Sequence, residues 1–87
     1  MKTLPNGIQV MRLHRLSGDG PLKAFADIAI AEQILIKGFR VIEGKNGLTI
    51  GWPSKEGPNG KFHFTVQPLS KEIEEVIADA ISEAYKS

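Results

Sequence analysis

The chain has 87 residues, 41% of them hydrophobic and 24% charged, with no Cys and a formal net charge of +1. That apolar fraction with so small a net charge excludes a disordered chain, and the lack of Cys excludes a disulfide scaffold, a thiolate zinc site and a cysteine nucleophile. The length fits one small domain over residues 1–87, and a balance of +1 is not that of a strongly basic nucleic-acid binder.

Turn signals divide the sequence at short intervals: Pro5-Asn6-Gly7, Gly18-Asp19-Gly20-Pro21, Gly44-Lys45-Asn46-Gly47 and Gly57-Pro58-Asn59-Gly60. Three contain Asn-Gly, a strong hairpin signal because both residues tolerate positive φ. Residues 8–16 read as a first strand. Residues 22–30 alternate most cleanly, with Leu22, Ala24, Ala26, Ile28 and Ile30 on one side and Lys23 and Asp27 on the other. Residues 34–43 are rich in β-branched and aromatic residues, and Gly38 in their middle predicts a bulge or a close backbone approach. Leu48, Ile50 and Trp52 alternate in a fourth run that ends at Pro53. Phe62, Phe64 and Val66 alternate in a fifth, before Pro68.

After Pro68 the period changes. Ile73, Val76, Ile77, Ala80, Ile81, Ala84 and Tyr85 recur at steps of three and four, the apolar face of an amphipathic helix. Ser70 is its expected N-cap, and Glu72, Glu74 and Glu75 lie in or near the first turn, where the helix dipole favours them. The fold class is therefore α+β: an antiparallel sheet of about five strands, then one C-terminal amphipathic helix over one sheet face.

A domain of this size buries only about 60–65% of its unfolded surface. With no disulfide to supplement the core, a homodimer is the expected way to bury more. The most apolar segment, residues 24–36, is interrupted by Asp27, Glu32 and Gln33, so it does not supply the ~20 apolar residues of a membrane span. Residues 1–16 carry Lys2, Arg12, His14 and Arg15 with no long apolar stretch, so a cytoplasmic location and no membrane partner are expected.

Constellations for chemistry are sparse. His14 and His63 lie on different predicted strands, with no third or fourth metal ligand at a recognisable spacing. Ser17, Ser54, Asp19 and Asp27 could be combined with either His, but no nucleophile-elbow sequence accompanies them. Two G-x-x-G stretches, at Gly44–Gly47 and Gly57–Gly60, match the backbone clamp of KH domains only in spelling, since both lie between strands and serve as hairpin turns. Trp52, Phe39, Phe62 and Phe64 could stack bases, yet they alternate in phase with aliphatic residues and are expected in the core.

Charge is unevenly distributed. Residues 70–87 hold two Lys against five Asp and Glu, a balance of −3, while residues 1–69 hold nine basic and five acidic residues, a balance of +4. Arg12, Arg15, Arg40, Lys45, Lys55 and Lys61 lie on strands or adjoining turns, and a dimer would double any patch they form. Because each phosphate contact releases counterions, such a patch could bind a nucleic-acid backbone; the alternative is an ordinary solvated surface.

Five stretches then occur in order: Arg12-Leu13-His14-Arg15, Asp19-Gly20-Pro21-Leu22-Lys23-Ala24-Phe25-Ala26, Arg40-Val41-Ile42-Glu43-Gly44-Lys45-Asn46-Gly47-Leu48, Trp52-Pro53-Ser54-Lys55 and Pro58-Asn59-Gly60-Lys61-Phe62. Together they resemble the SpoVG family, the stage V sporulation protein G or septation-regulator family of bacteria, over about residues 8–85. The resemblance implies a small non-enzymatic α+β protein without cofactor or metal that dimerises through paired or exchanged strands. It also implies a regulator of septation, cell division and gene expression that binds DNA and, in some members, RNA. Basic residues around the P-S-K turn and the start of the C-terminal helix are linked to DNA binding in the family, which here points to Lys55 and Lys71. The expected contacts are Arg40, Lys45, Lys55, Lys61 and Lys71, with Arg12 and Arg15 in support. The alternative is a protein-interaction module whose acidic C-terminal helix recruits a partner without binding nucleic acid.

Overall fold

The computed structural model describes residues 7–87. It contains strands β1 (Ile8–Arg15), β2 (Leu22–Ile30), β3 (Ile34–Gly44), β4 (Gly47–Gly51), β5 (Ser54–Glu56) and β6 (Phe62–Phe64), then helix α1 (Lys71–Lys86). The α+β class and the single C-terminal helix are as expected. Of the predicted turns, Pro5 and Asn6 lie outside the described residues.

The strands form two sheets. β1 to β4 make a four-stranded antiparallel meander in sequence order, and β5 pairs with β6 in a separate hairpin. The expected single sheet of about five strands divides at Pro53. The β3–β4 ladder ends where Arg40 faces Gly51, and Pro53 has no N–H with which to continue it. Trp52 turns into the core instead. The hairpin is tied back by the Thr65 N–H, which donates to the Pro53 carbonyl at 2.9 Å.

α1 covers one face of the large sheet. Its cap is the predicted one: the Ser70 hydroxyl accepts from the Ile73 N–H at 3.2 Å. Ile77 and Ile81 are buried, and Ile73, Val76, Ala80, Ala84 and Tyr85 pack around them. They meet Ile8, Val10, Ala24, Ala26, Ile28, Phe39 and Val41 from the strands and Trp52 from just after β4. Phe39 and Trp52 pack edge to face, with ring centroids 5.0 Å apart.

Three β-bulges decide which residues face this core. Met11 is the extra residue between the pairs Val10–Ile28 and Arg12–Asp27. Gly38 is the extra residue between Phe39–Ala26 and Lys37–Asp27, and Lys23 is the extra residue between Leu22–Ile42 and Ala24–Val41. Each bulge shifts the two-residue period by one. Inward positions on β3 therefore run Ile36, Phe39, Val41, and on β1 they run Ile8, Val10, Leu13. Gly38, flagged in the sequence, has φ +100°.

One further expectation is corrected. Phe62 and Phe64, expected in the core, are 70% and 57% exposed. They do share one face, as their alternation implied, but a two-stranded hairpin has no second layer to cover that face. The β2–β3 turn carries none of the usual turn residues: Ala31 and Glu32 occupy φ +54° and +58°. The turn is closed by the Gln33 N–H on the Ile30 carbonyl at 3.0 Å, and anchored by the Ala31 N–H on the Gly7 carbonyl at 2.7 Å.

The two positive-φ sites predict stability changes of opposite sign. At Gly38 a Cβ would meet only the Pro53 Cβ at 3.9 Å, so the cost of Gly38→Ala is conformational, about 1–2 kcal/mol. At the β2–β3 turn the residues with the least resistance to positive φ are missing, so Ala31→Asn with Glu32→Gly should stabilise by about 1 kcal/mol. Urea unfolding midpoints of the two variants should move in opposite directions. Equal or same-sign shifts would contradict this account of both sites.

Candidate nucleic-acid interface

Six of the seven predicted cations fall into four places. Arg12 on β1 and Arg40 on β3 belong to the sheet face that α1 leaves open. Their outward register is fixed by the bulges, through the pairs Arg12–Asp27, Phe25–Arg40 and Arg40–Gly51. Lys45 is exposed in the turn between β3 and β4. Lys55 and Lys61 belong to the small hairpin, and Lys71 is the first residue of α1. The fold thus puts Arg12 and Arg40 on one sheet face, two strands apart and in different rows, and Lys55 and Lys61 on one hairpin.

Arg15 is placed differently. It lies on the helix side of β1, and its Nη2 donates to the carbonyl oxygens of Ala84 at 3.3 Å, Tyr85 at 2.8 Å and Ser87 at 3.1 Å. Its guanidinium carbon also lies 5.7 Å from the centre of the Tyr85 ring. The last carbonyls of a helix lack intrahelical partners and carry the negative end of its dipole, so a guanidinium there is favourable on both counts. The Glu83 carbonyl is satisfied separately, by the Ser87 N–H at 3.1 Å and hydroxyl at 2.9 Å.

Arg40 is also held. It is half-buried, its Nη2 donates to the Trp52 carbonyl at 3.4 Å, and a methyl group at Gly51 would come within 2.8 Å of the same nitrogen. Glycine at 51 therefore leaves a seat in which the guanidinium lies flat against β4. The side chain is oriented before any ligand arrives.

In the hairpin, Lys55 pairs with His63, while Glu56 pairs with Phe62 and Ser54 with Phe64. One face carries Lys55 and His63, and the other carries the exposed phenylalanines. The loop before β6 is fixed by local bonds: the Gly57 N–H donates to the Lys61 carbonyl at 2.8 Å, and the Lys61 N–H to Asn59 Oδ1 at 3.1 Å. Lys61 therefore leaves a tied turn with its side chain exposed.

Half of the acidic residues lie on the helix, while Glu56 follows Lys55 in the hairpin, Glu43 lies near the Lys45 turn and Asp27 is on the open sheet face. Glu72, Glu74, Glu75, Asp79 and Glu83 are all exposed on α1, away from the stripe that packs on the sheet. The open sheet face holds Arg12, Lys37 and Arg40 against Asp27. Sequence reasoning left Lys37 out, because its outward direction depends on the Gly38 bulge. Among the described residues, no group of three or more His, Cys, Asp or Glu could hold a metal ion. No described helix is long and apolar enough to cross a membrane.

A family model described as SpoVG matches residues 7–87. A protein of Archaeoglobus fulgidus named "Putative septation protein SpoVG" is 33% identical over 79 residues, covering 91% of this chain and 93% of the relative. Proteins of the same name from Staphylococcus saprophyticus and Staphylococcus aureus are each 36% identical, covering 87% and 86% of this chain and 75% of each relative.

The geometry predicts that Arg15→Ala lowers stability by about 1 kcal/mol, the scale of one charge-assisted contact at an exposed helix end. Amide hydrogen exchange should quicken at Ala84–Ser87 while the sheet amides change little. A variant that weakens nucleic-acid binding with no change in exchange would show that Arg15 serves a ligand rather than the helix.

Proposed function

The chain belongs to the SpoVG family, and from that premise we propose that it is a small, non-enzymatic, dimeric regulator that binds DNA, and RNA as well, through its basic strands and turns. The role is the one the relatives' names carry, in septation and hence cell division, exerted in the cytoplasm through gene expression. The observation that carries the reading is the separation of charge. The helix presents five exposed carboxylates, while Arg12, Lys37 and Arg40 share the opposite face of the sheet and Lys55 and Lys61 extend from the hairpin. A phosphate backbone is attracted to the second side and repelled from the first, so a total of +1 is compatible with oriented binding.

The contacts are sequence-tolerant in this reading. Lys45, Lys55 and Lys61 are flexible point charges that engage phosphates, Arg40 is the pre-oriented member of the set, and Lys71, beside Glu72, Glu74 and Glu75 at the helix start, contributes least. The exposed Phe62 and Phe64 favour a dimer, because pairing them with a second copy removes two aromatic rings from water. The alternative, recruitment of a protein by the acidic helix, rests on the same five carboxylates.

Binding to mixed-sequence DNA and RNA should be strongest at low salt and fall steeply as salt rises, each phosphate contact adding about 0.9 to the slope on duplex. Lys55→Glu with Lys61→Glu should flatten that slope by about two and weaken binding on every sequence alike. No binding at micromolar protein and low salt would refute the reading. Light scattering should give twice the 9.5 kDa of one chain; a monomer's mass would refute the dimer.

A further inference from the structure

The four-stranded sheet has a second face that no described element covers. Two central rows of cross-strand partners run over it, between the mostly apolar rows Gln9–Ala29–Leu35 and Leu22–Ile42–Thr49. One is Arg12–Asp27–Lys37, and the other is His14–Phe25–Arg40–Gly51. Phe25 sits on β2, in the middle of its row, and is 39% exposed although it is a large apolar residue. His14 is exposed on one side of it and Arg40 half-buried on the other. Directly opposed residues in an antiparallel sheet have Cβ atoms about 4.5–5.5 Å apart. An imidazole, a phenyl ring and a guanidinium are therefore consecutive on one surface.

The adjacent row supplies charge in a useful order. Arg12 and Lys37 lie on the outer strands of the row, with the single carboxylate of Asp27 between them. Phosphates are drawn toward β1 and β3 and kept off the middle of the sheet, which leaves that middle for bases. A carboxylate there can accept a hydrogen bond from an exocyclic amino group of a base. The occupant with this pattern of features is an unpaired strand. Duplex DNA hides its base faces in the stack, and its major groove admits a helix or a two-stranded ribbon rather than a four-stranded sheet. Unpaired bases offer a π-face whatever their identity.

We infer that this open face, centred on Phe25 and flanked by His14, Arg40, Arg12 and Lys37, is a platform for a few nucleotides of single-stranded DNA or RNA. The inference rests on the nucleic-acid reading above and assigns its strand preference and its stacking residues. Phe25 and His14 stack bases, Arg12 and Lys37 hold phosphates, and Asp27 biases the choice of base. Duplex contact, where it occurs, falls to the lysines of the hairpin.

The test is fluorescence anisotropy with one labelled mixed-sequence oligonucleotide, single-stranded and annealed to its complement, at low salt, with light scattering on each protein. Expected is tighter binding of the single strand. Phe25→Ala should weaken it about tenfold or more, as for loss of one base–aromatic stack. Phe25→Leu, which keeps an apolar side chain and the strand, should weaken it comparably and guard against a folding artefact. Arg12→Ala with Lys37→Ala should flatten the single-strand salt slope by about 1.4. Duplex affinity should change little in the Phe25 variants. If both Phe25 variants bind the single strand within twofold of the parent while Lys55→Glu with Lys61→Glu abolishes binding, the platform is refuted and the nucleic-acid reading stands. If the parent binds neither form, both fall. If a Phe25 variant changes from dimer to monomer, the face is an interface between two copies and the platform is refuted.

Discussion

Ile77 and Ile81, one turn apart on the only helix among the described residues, pack on one face of a four-stranded sheet, and the remaining features follow from that asymmetry. Fully burying an Ile side chain stabilises by about 1.5–3 kcal/mol, a large share of the margin a small domain has. With one helix there is one such seat. The face beneath it must be apolar from β1 to Trp52, and the opposite face is left to water or to a ligand. Arg15 reinforces the seat from the strand side by gathering the last helix carbonyls. The same contact that ends the helix also ties it to β1.

A one-sided core demands strict control of which way each strand residue points. The bulges at Met11, Lys23 and Gly38 provide it. Without the Gly38 bulge, Ile36 and Phe39 could not both face the helix, because they are an odd number of residues apart. The same shift sends Lys37 and Arg40 outward together. Packing of the core and composition of the open face are thus one decision made in the backbone. Glycine at 38 accepts the positive φ that the shift requires.

This explains what the sequence made legible. β2 was readable over its middle because Ala24, Ala26 and Ile28 alternate without interruption over the core, whereas Leu22, expected on the same side, is moved off it by the bulge at Lys23. The helix was readable from its stripe and from Ser70, since both signals are local. Gly38 announced its bulge because few other roles suit a glycine inside a strand. The β2–β3 turn was not announced by composition, since Ala31 and Glu32 are held in place by hydrogen bonds to Ile30 and Gly7 rather than by their own preference. Phe62 and Phe64 misled because alternation reports a shared face and is silent on whether anything covers it. Arg15 read as a surface cation because its partners lie about seventy residues away in the chain and are backbone carbonyls, which carry no side-chain signature.

The net charge of +1 follows from the same geometry. A helix with one buried stripe has an outer surface that must be polar, and here it is acidic. Glutamates in the first turn stabilise the helix through its dipole, so part of that negative charge serves the fold. The open sheet face has no such local demand. Arg12, Lys37 and Arg40 do not cap an element or bury their charge with a carboxylate partner beyond the single Asp27 in their midst, and Arg40 is oriented by Gly51 and Trp52 toward that surface. Cations on either side of Asp27, arranged around the exposed ring of Phe25, give this face a charge opposite to that of the helix.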